Sequence, residues 1–108
     1  MVDYINIGGE SRPVRFGMNA IRLYSAEYNV SIDEVDRISK KTKFSNLIGL
    51  FYYGLKDGAR ADKKDFPYDV ITVSDWFDDD VHLVEQMTTI WITQSQGNPQ
   101  KPGENPGG

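Results

Sequence analysis

Residues 44–55, FSNLIGLFYYGL, contain no charged side chain. Phe44, Leu47, Ile48, Phe51 and Leu55 follow the spacing of one helix face, while Leu50, Tyr52 and Tyr53 add apolar area on the other sides. A helix that is apolar nearly all round has to be covered nearly all round, either at the centre of a domain or between the domain and a partner. The central position is the simpler reading. Gly49 and Gly54 weaken this helix relative to alanine but let another backbone come close. Asp57 and Gly58 are expected to end it, and residues 59–65 to form an exposed loop without core side chains.

The remainder of the chain supplies what has to surround that helix. With 108 residues, one domain is expected, because a second would lack a core of its own. Val2 to Ile7 and Arg12 to Phe16 read as two strands, with Ile5 and Ile7 on one face of the first and Val14 and Phe16 on one face of the second. Gly8, Gly9, Glu10 and Ser11 are assigned to the turn between them. The glycine pair is not read as a phosphate loop, since a strand follows it rather than a helix whose amides could hold an anion.

Met18 to Tyr28 reads as a helix with Met18, Ile21 and Tyr24 or Tyr28 along one stripe, ended by Asn29. Ser31 and Glu34 have capping-box spacing, and Val30 and Val35 that of a hydrophobic staple, so a second short helix is expected there. A helix-turn-helix is disfavoured because Asp33, Glu34 and Asp36 would face DNA phosphates. Asp69 is placed to cap a helix in which Val70, Val73, Trp76 and Phe77 share a face. A last helix, from about Val81 to Ser95, has Leu83, Met87, Ile90, Trp91 and Gln94 at helical spacing. The expected architecture is mainly α (α+β): an N-terminal β-hairpin followed by a bundle of four to five helices within residues 1–96. From Gly97 onward, seven of twelve residues are Gly or Pro, the composition of a disordered end or a linker.

Residue counts narrow the chemistry. The chain has no Cys and one His, His82, which disfavours thiolate metal sites, cysteine nucleophiles, zinc centres and acyl-transfer triads. Asp75, Asp78, Asp79 and Asp80 form the densest carboxylate cluster but lack the alternating ligands and turn glycine of an EF-hand loop. Their structural reading is as acids at a helix start, favoured by capping and by the helix dipole, with His82 solvated beside them. No catalytic residue, cofactor or metal site is assigned, and an enzyme is not expected. No apolar run reaches the roughly 20 residues of a membrane span, and the N-terminus lacks a basic stretch leading into an apolar one. A soluble, non-secreted protein is expected.

Charge is unevenly distributed. Residues 44–64 carry a net +2 and residues 65–108 a net −7, within a total of −4. The two regions can pair within one fold or between copies in a stacked or ring assembly. An acidic total argues against a dedicated nucleic-acid binder, and Lys40, Lys41 and Lys43 are too few to reverse it. Partner contact therefore has to come from protein surface. Tyr52, Tyr53 and Trp91 are the candidate anchors, since large aromatics dominate interface energetics, whereas Trp76 fits the core best.

The segments Asn6-Ile7-Gly8-Gly9-Glu10 and Pro13-Val14-Arg15-Phe16-Gly17-Met18-Asn19-Ala20 resemble the opening hairpin and first helix of bacteriophage tail assembly chaperones. Gly49 to Gly58, GLFYYGLKDG, and Val73 to Asp80, VSDWFDDD, are similar to that family's central helix and its Asp-Trp helix before an acidic turn. The resemblance spans residues 4 to about 93 and rests on turn, cap and core positions rather than on a catalytic motif. The sequence departs from it at Tyr28-Asn29, where relatives often have Thr-Gly, and at Pro67-Tyr68. It implies a non-enzymatic protein of the bacterial host cytoplasm, absent from the mature virion, that binds the tape-measure protein, keeps it soluble and helps recruit tail-tube subunits. It also implies the possibility of a longer, frameshifted form near the Gly/Pro tail. The alternative function is a structural tail-completion or connector subunit retained in the virion, and a third is a small DNA-binding regulator built on the first two helices.

Overall fold

The hairpin at the N-terminus is set by two glycines. Gly8 and Gly9 both adopt positive φ, +63° and +85°, so the turn between the strands takes only these two residues. Strand β1 (Asp3–Ile7) pairs antiparallel with β2 (Glu10–Val14), Ile7 opposite Glu10 and Asp3 opposite Val14. Glu10 and Ser11, expected in the turn, therefore belong to β2. Alternation from the closing Ile7–Glu10 pair makes Tyr4–Pro13 a pair without mutual hydrogen bonds, so the missing N–H of Pro13 costs the ladder nothing. Ile5, Ile7, Arg12 and Val14 occupy the inner face and are buried.

The computed structural model describes residues 2–31 and 44–95. After the hairpin come α1 (Met18–Tyr28), α2 (Phe44–Ala61), α3 (Val70–Asp79) and α4 (His82–Ser95). The chain is thus an α+β fold, a hairpin with four helices among the described residues. The second helix expected from Ser31 onward, with its capping box, its staple and Lys40, Lys41 and Lys43, lies outside the described residues, as does the Gly/Pro tail.

The uncharged segment lies at the centre. Leu47, Ile48, Leu50, Phe51 and Leu55 are buried in one cluster with Phe16, Tyr24, Val73, Phe77, Met87 and Trp91. Tyr52 and Tyr53 are half-buried and pack against that cluster. The helix does not stop at Asp57-Gly58. It continues to Ala61, with Asp57 and Ala59 both buried, and ends in a Schellman arrangement in which Lys64 N donates to Ala59 O (2.8 Å), Lys63 N donates to Arg60 O (3.1 Å), and Lys63 is left-handed (φ +57°). Gly58 serves inside the helix as a point of close approach: a Cβ there would collide with the Pro13 carbonyl of β2. Gly54 and Gly49 do the same for side chains rather than for backbone, facing the rings of Phe16 and Tyr28. A further backbone tie, Arg15 N to Gly54 O (3.0 Å), holds the end of β2 on this helix.

The flanking helices show why other assignments change. In α1 the buried positions are Ala20 and Tyr24, while Met18 is 76% exposed and lies off the stripe assigned to it. Asn29 ends α1 in the left-handed conformation, and Val30 N returns to Ser25 O. Asp69 caps α3 by accepting from Thr72 N (2.8 Å), which favours the carboxylate and holds its pKa below the ordinary value. Val73 and Phe77 face the core as expected, whereas Val70 is exposed and Trp76 is half-buried at the edge. Gln94 fastens α4 to the hairpin: its amide oxygen accepts from Phe16 N (2.7 Å), and its amide nitrogen donates to Asp3 Oδ2 and Val14 O.

Candidate functional site: a basic groove between the first two helices

Asn19, Arg22 and Leu23 fall at i, i+3 and i+4 on α1, and Tyr53, Lys56, Asp57 and Arg60 at i, i+3, i+4 and i+7 on α2. The two stripes border an open groove of about 400 Å³, lined also by Lys64, Asp65 and Phe66. Tyr53, Leu23 and Phe66 supply its apolar surface, and four cations, Arg22, Lys56, Arg60 and Lys64, line it with two acids, Asp57 and Asp65.

Asp57 is the unusual member. Its side chain is only 3% exposed, and Arg60 holds one oxygen through both Nε (3.0 Å) and Nη2 (2.7 Å). Its other oxygen, Oδ2, is buried without a hydrogen-bond partner among the described residues. Buried carboxylate oxygens are nearly always paired, and this exception lies inside the chain beside Gly17, where a Cβ would meet both Asp57 Oδ2 and Arg15 Nε at 3.0 Å. The remaining cations have partners of their own. Arg22 donates to Asn19 Oδ1 at 3.4 Å, Lys64 lies 3.2 Å from Asp62, and Lys56 stands 5.8 Å from the Tyr52 ring centroid.

Of the expected partner-binding residues, only Tyr53 lines this groove. Burial, followed by the negative charge of Glu27, raises the Tyr53 pKa, so its hydroxyl stays neutral and available as a donor. Tyr52 packs edge-on against Tyr53 (5.0 Å) and reaches Phe66 (6.1 Å), supporting the wall from behind. Trp91 is placed differently from the expectation. It is 4% exposed and meets Phe16 edge-to-face at 5.3 Å, so it is a core side chain with no surface to offer a partner.

Arg12 is a residue that sequence reasoning missed. It donates to Ile7 O (2.9 Å) and Gly8 O (3.0 Å), and its guanidinium lies 4.5 Å from the Trp76 ring centroid and 4.9 Å from that of Tyr68. This joins the hairpin turn to the segment before α3. The available signal was a lone cation in phase with Val14 and Phe16 on the inward face of a strand.

A second groove, of about 450 Å³, lies between the hairpin turn and the α3–α4 corner, bordered by Glu10, Trp76, Asp79, Asp80 and Leu83. Its acids are exposed. Asp80 accepts from His82 N (3.0 Å) at the start of α4, and the His82 side chain is 79% exposed. No group of three His, Cys, Asp or Glu among the described residues is arranged to hold a metal ion. Nor is any helix among them long and apolar enough to cross a membrane. No family model matches the chain, and neither a curated protein nor a solved structure matches it.

Proposed function

We propose that this chain is a non-enzymatic tail assembly chaperone that holds a helical segment of a tape-measure protein in the groove between α1 and α2 and helps recruit tail-tube subunits around it. The observation that carries the reading is the position of the residues behind the resemblance. Gly8-Gly9 make the hairpin turn, Gly54 and Gly58 admit Phe16 and Pro13 onto the central helix, and Trp76 before the acidic turn covers Arg12. They are joints of the fold, as expected of a resemblance built on architecture.

The groove supplies a physical route to binding. Its apolar wall of Tyr53, Leu23 and Phe66 would cover an exposed apolar stripe, and the surrounding cations would orient the acidic side chains beside that stripe. The test is coexpression with the long helical protein encoded nearby, scoring that protein's solubility and copurification. Rescue is expected with the native chain, and a loss of rescue of about tenfold or more with Tyr53→Glu, whose side chain would place a carboxylate in the apolar wall. Failure of the native, folded chain to raise the solubility of the long protein would overturn the chaperone reading. Abundant peptides from this chain in purified virions would replace it with that of a retained tail component.

A further inference from the structure

The hairpin has one edge closed and one open. Along β2 the outer edge is covered by α2: Arg15 N donates to Gly54 O (3.0 Å), Pro13 has no N–H to leave unpaired, and Gly58 brings the helix against the Pro13 carbonyl. β1 has no such cover. Among the described residues the sheet consists of these two strands, and the register that turns the backbone of Asp3, Ile5 and Ile7 toward β2 turns the N–H and C=O of Tyr4 and Asn6 away from it. Neither residue makes a backbone hydrogen bond to another element among the described residues, and both are exposed, Tyr4 by 56%. α4 reaches this strand through Gln94 and the Asp3 carboxylate, not through the outward backbone. β1 also lacks the devices that blunt an edge, since it carries no Pro, no Lys and no bulge.

Asn6, on that open edge, also lines the groove of about 450 Å³ beside the hairpin turn. Glu10, Asp79 and Asp80 line it too, and no Lys or Arg does. Glu10 lies 3.5 Å from Arg12, and Asp80 caps α4, while the Asp79 carboxylate makes no ion pair or hydrogen bond among the described residues. Trp76 and Leu83 add apolar surface.

We infer that β1 takes an extended, basic segment of a partner protein as a third strand, with a Lys or Arg side chain of that segment in the acidic groove. An extended backbone can pair with the outward N–H and C=O groups of Tyr4 and Asn6, whereas a helix has already spent its own. A cation complements the groove: its aliphatic stem covers Trp76 and Leu83, and its charged end reaches Asp79. The exposed Tyr4 and Val2 favour apolar or β-branched neighbours on the same face of the added strand. This edge is a different surface from the α1–α2 groove, and the inference stands whether or not the chaperone reading does.

Blocked, fluorescein-labelled peptides test it, in which valine and threonine alternate and one lysine is moved through every position. Fluorescence anisotropy with the full chain should find at least one that binds saturably with a Kd below about 1 mM. The same peptide with glutamate for lysine should bind at least about tenfold more weakly, because it places a like charge in the groove. N-methylation of one alternate set of its amides should also cost about tenfold or more, and methylation of the other set little, because only one set faces β1. Tyr4→Pro removes an outward N–H without touching the ladder to β2, so it should lose about tenfold in affinity with unchanged circular dichroism. Asp79→Asn should lose about fivefold and flatten the salt dependence. Absence of saturable binding, equal binding of the lysine and glutamate peptides, or equal losses from both N-methylated sets would overturn the inference. So would a native chain that dimerises in sedimentation velocity and loses that dimer in Tyr4→Pro, which would give the edge to a second copy.

Discussion

The two ends of this molecule reach order by different means. Around the basic groove, α1 and β2 close onto α2 because glycines on that helix remove side chains where Tyr28, Phe16 and Pro13 arrive. Around the acidic corner, α3 and α4 are organised by local caps, Asp69 to Thr72 N and Asp80 to His82 N, with exposed acids beside them. The first region depends on close approaches between parts of the chain far apart in sequence; in the second, the helix starts are set by hydrogen bonds within three residues, while Val73, Phe77, Met87 and Trp91 pack into the common core. A substitution at a joint of the first should therefore disturb the whole domain, and one at a cap of the second a single helix end.

The largest expected effect follows from Gly58. Gly58→Val would drive two methyl groups into the Pro13 carbonyl, a rigid neighbour, and should cost at least the 1–3 kcal/mol, roughly, of an overpacked core. Thermal unfolding should show a clear fall in Tm and a weakened hairpin. A Tm unchanged within error would mean that β2 does not depend on its approach to α2.

A smaller effect is expected at the acidic corner. Asp69→Ala should lower Tm where Asp75→Ala does not, because of these two only Asp69 caps a helix. The pH dependence has a defined sign. The Asp69 pKa is lowered from its ordinary 3.8 by the Thr72 N–H, so the cap's contribution is present above that value and is lost as pH falls below it. The native chain should lose more stability on acidification than Asp69→Ala does. Equal losses in the two proteins would remove the cap from the account.

The smallest effect belongs to Tyr28 and Tyr53. Burial and Glu27 raise the pKa of both Tyr28 and Tyr53 above 10.0. The folded protein therefore keeps these protons while the unfolded chain gives them up, and stability should decline as pH rises past 10.0. Tyr53→Phe should soften that decline. Spectrophotometric titration of the phenols should show part of the tyrosine population ionising late in the native chain and less of it in the variant.

The elements most legible in the sequence were those with a local cause. Gly8-Gly9, Asn29 and Asp69 each act on backbone within a few residues, so the hairpin, the end of α1 and the start of α3 follow from their neighbours. The end of α2 was misread for the converse reason. Asp57-Gly58 has the composition of a helix stop, but Gly58 is used for contact with Pro13 and Asp57 is paired with Arg60, so the helix runs on until Lys63 turns left-handed. Trp91 could be placed on a helix but not on a side of the domain, because its burial depends on Phe16, which lies 5.3 Å away in space and distant in sequence. Of the groove, the two stripes at helical spacing were present in the sequence, yet their facing was not.

By itself, the sequence determined that residues 44–55 must be a covered helix, at the centre of a domain or against a partner, that a hairpin precedes it, and that charge is segregated along the chain. Periodicity, turn chemistry and composition are properties of neighbouring residues, and they survive without knowledge of the fold. Tertiary structure decided which cations border a groove, that Asp57 is buried with one oxygen unpaired, and that Trp91 faces inward while Val81 projects. These depend on which elements meet, and that is set by long-range packing of ring against glycine and strand against helix.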